Sequence, residues 1–271
     1  MQNKENKKEI LENFKAAISS TVKSISNSQK IEVFFGSQNT NASKDTVNLP
    51  EVENINQRVN FDKIRAIADS KSLTIRFSKN KIFKKYEPSG NISKKLYYIS
   101  EKIRCERIGS DYFKGVKNNI EKFYNKRISE LDLKSSEDKI AESFENFLRV
   151  KFLDYKNEAQ IEKKFKSYKK DLRKQFDQKI SELKDFTLNQ EKFNSLVADL
   201  ITKMNLDENF DDDEKKNDEN ESKDKESKPK SIDQKAKQKV ENNEEMAIES
   251  GVPDLENEAE ESDKSKDEIE L

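Results

Sequence analysis

The side chains most suited to chemistry crowd into EKIRCERIGSDYFKGVKNNI, residues 101–120, where Glu101, Arg104, Glu106 and Arg107 alternate with Ile103, Cys105 and Ile108. Carboxylates beside guanidinium groups make ion pairs, which either fix how helices sit together or set the specificity of a contact with a partner. A thiol between two arginines could in principle ionise. With only Arg104 and Arg107 to favour the thiolate, Cys105 reads instead as a small buried apolar residue. The stretch also holds Gly109 and Gly115, two of the chain's five glycines, and its single cysteine.

The rest of the sequence narrows this chemistry further. There is no histidine and only one cysteine, so neither a Ser/His/Asp nor a Cys/His nucleophile system can be assembled, nor a zinc site of ordinary ligand type. Neither G-x-x-x-x-G-K-[ST] nor G-x-G-x-x-G occurs, which leaves no phosphate-cradling loop of a known kind. Catalysis would have to rest on carboxylates, lysines or arginines, and no pair of them stands out. No catalytic, cofactor-binding or metal-binding residue is therefore assigned.

Helices must position the 101–120 stretch. Ile92, Leu96, Ile99 and Ile103 recur on one helical face, and Gly109 is expected to close that helix in left-handed geometry, with Ser110 capping the next. Val116, Ile120, Phe123, Tyr124, Ile128 and Leu131 mark the following helix. Another, opened near Ser135 and Ser136, carries Ile140, Phe144, Phe147, Leu148 and Phe152. Ile10, Leu11, Phe14, Ala17, Ile18, Val22 and Ile25 line a first helix. The longest is expected from about Glu158 to Phe186, with a narrow stripe through Ile161, Phe165, Tyr168, Leu172, Phe176, Ile180 and Leu183, lying on the surface or pairing with one neighbour. The last uses Phe193, Leu196, Val197, Leu200, Ile201 and Met204.

Between these lie less regular segments. IEVFF (31–35) ending on Gly36 suggests a brief strand and turn, and the polar run to Pro50 a loop. Phe61, Ile64 and Ala68 have helical spacing, whereas SLTIRF alternates as a strand would, and period alone does not decide between them. Glu87-Pro88-Ser89-Gly90 marks a turn.

Composition divides the chain in two. From Asp207 onward there are 25 Asp+Glu against 11 Lys+Arg, a net of −14, whereas residues 1–206 carry a net of +13. The acidic part is almost free of aromatics, so burial there cannot offset roughly 1–2 kcal/mol of backbone entropy per ordered residue. The expectation is an all-α body over 1–206 with at most a short β element, followed by a disordered acidic tail over 207–271. The N-terminus lacks the continuous apolar core of a secretory signal, and no apolar run approaches 18 residues, so no membrane span and a cytoplasmic location are expected. The lysine-rich KKFKSYKKDLRKQF could track a phosphate backbone, but its aromatics belong to the inward stripe and no nucleic-acid partner is expected.

In this order and spacing the residues resemble the N-terminal region of the CobT family of aerobic cobaltochelatase subunits. The likeness runs through EVFFG, Leu49-Pro50, IRAIADSKSLTIRF with Arg65, Ala68 and Asp69, and then Pro88 and Gly90. It continues through Glu101, Arg104, Glu106, Gly109, Gly115, Val116 and Asn119, and closes on NQEKFNSLVADLITKM, covering roughly residues 15–215. The resemblance implies a non-catalytic subunit acting with an AAA+ ATPase subunit and a large porphyrinoid-binding subunit. That complex uses ATP, with Mg and cobalt, to insert cobalt into hydrogenobyrinic acid a,c-diamide in cobalamin synthesis. No cofactor is expected on this chain itself. Two departures stand out: the von Willebrand A domain with its D-x-S-x-S motif is absent from this sequence, and Ser78, Lys79 and Phe83 fill the family's histidine positions. Arg104, Glu106, Gly109, Gly115 and Asn119 are accordingly a structural or partner-interface motif, in which Gly109 ends a helix and Gly115 lets two helices approach. The competing function is a helical interaction module whose acidic tail binds basic partners or folds onto its own body.

Overall fold

A computed structural model describes residues 2–36, 46–52, 58–130, 136–155, 170–204 and 206. The element order is α1 (Gln2–Ser26), β1 (Glu32–Phe35), β2 (Thr46–Leu49), α2 (Arg58–Phe77), α3 (Asn80–Lys85), α4 (Asn91–Tyr112), α5 (Lys114–Glu130), α6 (Ser136–Leu153), α7 (Lys170–Asp185) and α8 (Gln190–Thr202). Among the described residues the fold is all-α with one two-stranded parallel sheet, in register from Glu32 opposite Thr46 to Phe35 opposite Leu49. No helix among the described residues is long and apolar enough to cross a membrane.

Helix α4 is the axis of the assembly. It packs against α2, α5, α6 and α8, and 14 of its 22 residues are buried. Its apolar face, Ile92, Leu96, Ile99 and Ile103, joins Phe144, Phe152, Phe176, Phe193 and Val197 in the larger core. A smaller core forms where α1 crosses α2 above the sheet, from Ile18, Val22, Val47, Leu49, Ile64 and Ile67. Helix α2 serves both cores, giving Ile64, Ile67 and Ala68 to the smaller and Leu73 to the larger. That division settles SLTIRF as helix: Leu73 is fully enclosed while Ile75, two positions on and on the other side of the helix, is exposed.

Four expectations need correction. The run to Pro50 is not all loop, because Thr46–Leu49 forms β2 and turns Val47 and Leu49 into the smaller core. Two apolar residues in alternation suffice for an edge of sheet, and the polar neighbourhood hid them. On α1, Ile10 and Ala17 stay outside the buried stripe, which runs Leu11, Phe14, Ile18, Val22, Ile25. Helix α7 packs against both α6 and α8 rather than one neighbour, through the buried Phe176 and Leu183; its expected start at Glu158 lies outside the described residues, as does the whole of 207–271.

The fourth correction concerns the glycines. Helix α4 runs through Gly109 and Ser110 to Tyr112, and Phe113 caps it by donating its N–H to the Gly109 carbonyl at 2.8 Å. Gly109 is instead the point of closest approach to α2: a Cβ there would collide with both terminal methyls of Leu73 and stand 2.8 Å from its Cγ. A Cβ on Gly115 would meet nothing within 4 Å. The close approach belongs to the first glycine, and the second is open to solvent.

Candidate functional site

Helix α4 is buried on nearly all sides yet rich in charge, so its ionisable groups must find partners inside the protein. They do so in two directions. Toward α6, Lys102 and Glu106, one turn apart, face Glu145 and Arg149, also one turn apart. Arg149 donates from Nη1 to Glu106 Oε2 at 2.5 Å and from Nη2 to Glu145 Oε1 at 2.8 Å. Lys102 Nζ lies 2.8 Å from Glu145 Oε1 and donates to the Tyr124 hydroxyl at 3.2 Å. The Tyr124 ring of α5 lies under the Arg149 guanidinium, 3.2 Å from carbon to ring centre. Arg127 of α5 pairs with Glu142 of α6 at the layer's margin.

Toward α2 and α8, Arg104 makes a fork to Glu101, with Nε to Oε2 at 2.8 Å and Nη2 to Oε1 at 2.7 Å. The same guanidinium donates to the carbonyls of Phe77 at 2.7 Å and Thr187 at 2.9 Å. The Phe77 carbonyl closes α2 and that of Thr187 lies in the turn before α8, and Arg104 ties both to the central helix. The planar, five-donor guanidinium is what allows one side chain to bind a carboxylate and two carbonyls together.

The layer continues into α2. Ser70 donates to Glu106 Oε1 at 2.5 Å, and Asn119 of α5 donates to Asp69 Oδ2 at 2.8 Å. Burial pushes Asp69 up from 3.8 to about 6, opposed by the Asn119 hydrogen bond and the nearby charge of Arg65. Lys71 donates to the Asn48 carbonyl of β2 at 3.0 Å, and burial, with the like charge of Lys102, lowers it to about 8.

Where α4 meets α6 the charges are held in their ordinary ionised forms, whereas Asp69 and Lys71 on α2 are shifted toward neutral pH. Burial works against the Glu145 charge, but Lys102 and Arg149 overcome it and hold the carboxyl well below its usual range. Burial also opposes the Arg149 charge, yet Glu106, Tyr124 and Glu145 keep it raised. Burial, with Glu101 beside it, pushes the Cys105 thiol well above its ordinary value, and the same enclosure raises Tyr124. A general acid or base needs a proton available near neutral pH and access to a substrate; the Glu145 and Arg149 charges are committed to each other. Among the described residues no group of three or more His, Cys, Asp or Glu is placed to hold a metal ion.

Of the five motif residues, Arg104 and Glu106 are 1% and 0% exposed and face the interior of this chain. Gly109 and Asn119 join them at the α2–α4–α5 contact, while Gly115 stands apart. Sequence reasoning missed Lys102, Glu145, Arg149, Tyr124 and Ser70. A signal was present on α6, where Glu142, Glu145 and Arg149 repeat at three and four residues alongside the apolar stripe, the spacing of a second inward row rather than of a solvated face.

In class this is an all-α fold whose central helix is held from within by a layer of paired charges. The family described as cobalamin biosynthesis protein CobT matches residues 8–270, so the chain belongs to that family and to the biosynthesis of cobalamin. No solved structure matches it.

Proposed function

We propose that this chain is a non-catalytic subunit of the ATP-dependent aerobic cobaltochelatase, supporting cobalt insertion into hydrogenobyrinic acid a,c-diamide. Membership of the CobT family over residues 8–270 is the observation that carries the reading. The interior is compatible with it: the α4–α6 charges are paired with one another inside the fold, as suits a subunit that supports a reaction carried out elsewhere in a complex. In this reading an AAA+ subunit binds ATP and Mg, a large subunit binds the corrin precursor, cobalt is cargo, and the site of action is the cytoplasm.

The test is reconstitution. The chain, mixed with the AAA+ chelatase subunit and ATP, is expected to co-purify with it, and addition of the large subunit, cobalt and substrate is expected to give an insertion rate that depends on this chain. Clean failure to associate, by this chain and by a form joined to a von Willebrand A domain, would favour a helical interaction module outside the chelatase.

A further inference from the structure

Where α2 ends beside the α4–α5 junction, aromatic rings and cations gather on the surface. Tyr112 is 70% exposed and its ring lies parallel to Phe77 at 6.1 Å. Phe113 flanks it at 6.4 Å, and the Arg76 guanidinium sits over both phenylalanines at 5.5 and 5.7 Å. Lys114, the residue after Phe113, and Lys117, one turn beyond Phe113, are exposed. Among the described residues no carboxylate ion-pairs with Arg76, Lys114 or Lys117, and the nearby Asp111 is taken by Arg107 at 3.7 Å. The exposed Tyr112 ring beside half-buried Phe77 and Phe113, bordered by Lys114, Lys117 and an Arg76 whose described hydrogen bond is to the Ile25 carbonyl at 2.9 Å, suits a ligand that is acidic and apolar together.

We propose that residues 244–261 of this same chain dock on that face. The segment, EEMAIESGVPDLENEAEE, holds eight Asp and Glu and no Lys or Arg, with Met246, Ile248, Val252 and Leu255 spaced among them. No other part of the acidic region combines the two properties: residues 207–243 mix 13 acidic with nine basic side chains, and 262–271 carry two lysines. Geometry permits the contact. The described body ends at the buried Leu206, and the 37 residues of chain between it and Glu244 can span at most about 120 Å. A body of about 200 residues has a radius of gyration near 16 Å, so the segment reaches any side of it. Local concentration then favours an intramolecular contact that would be weak between separate molecules.

The experiment uses the full chain, ¹⁵N-labelled, with a nitroxide attached through Ser250→Cys. Cys105 is buried and its thiol is held protonated, so labelling goes to position 250. At low salt the label is expected to bleach the amide signals of residues 76–77 and 112–117. Signal should return near 1 M salt, where the Debye length is about 3 Å, and in R76E/K114E/K117E. If that triple variant loses its helical spectrum, E244Q/E245Q/E249Q must restore the signals instead without touching the body. Bleaching centred on another face, or none at low salt, overturns the proposal. So does bleaching that passes between a spin-labelled unenriched chain and an unlabelled ¹⁵N chain, which would make a second copy the occupant.

Discussion

The role of Gly109 can be tested by a double-mutant cycle with Leu73. In Gly109→Ala the new methyl must enter space held by both terminal methyls of Leu73, and because Cγ is also only 2.8 Å away, rotation about the last side-chain bond gives no escape. Leu73 is fully enclosed, so relief means shifting packed atoms, at about 3 kcal/mol, the upper part of the range for overpacking. Replacing a mid-helix glycine by alanine returns about 1 kcal/mol of helix propensity. The net expectation is a loss of about 2 kcal/mol. Leu73→Ala alone opens a cavity and costs roughly 2–5 kcal/mol. Combined, the new methyl occupies part of that cavity, so the double variant should lie near the less affected single variant, with a coupling energy about equal to the larger single effect, roughly 2–5 kcal/mol. Urea unfolding followed by circular dichroism measures all four corners, provided the m-value holds constant. Additivity within about 0.5 kcal/mol would refute the close-approach argument. A glycine needed only for left-handed backbone would give that additive result.

Other expectations follow from the ionic layer. Glu106→Gln leaves Arg149 short of a charge partner in a sealed site and should cost about 3–5 kcal/mol, whereas Glu106→Gln with Arg149→Met should cost clearly less than the two single changes added, as read by urea midpoints. Arg104→Lys keeps the charge but cannot span Glu101 and the carbonyls of Phe77 and Thr187; a loss of about 2 kcal/mol, with faster amide exchange at the end of α2 and in the turn before α8, checks it. Asp69, at about 6 in the folded protein against 3.8 otherwise, binds a proton more tightly folded than unfolded, so stability should fall as pH rises through that window and stay level above it. At 1.36 kcal/mol per unit the fall is of order 3 kcal/mol, and Asp69→Asn should abolish it in unfolding curves from pH 4 to 8. Cys105 should resist thiol reagents in the native protein and react on unfolding, and rapid native labelling would contradict its enclosure.

Helical periodicity in this chain was legible because one-sided burial leaves a local trace: Ile92, Leu96, Ile99 and Ile103 lie on one face whatever packs against it. The same holds for Val116 to Ile128 and for Phe193 to Ile201. The opposite charges of body and acidic region are likewise properties of composition alone. Partner choice is not local. Whether Glu106 meets solvent, Arg104 of its own helix or Arg149 of α6 depends on where a segment 43 residues away returns, and nothing within a turn of Glu106 records that. Thr46–Leu49 became a strand because β1 lay beside it with a core beneath, and SLTIRF became helix because Leu73 had a glycine to pack against. Gly109 and Gly115 are alike as letters. Tertiary packing alone distinguished them, since a missing side chain acquires meaning only from the atoms that fill the space it leaves, and in this protein those atoms belong to another helix.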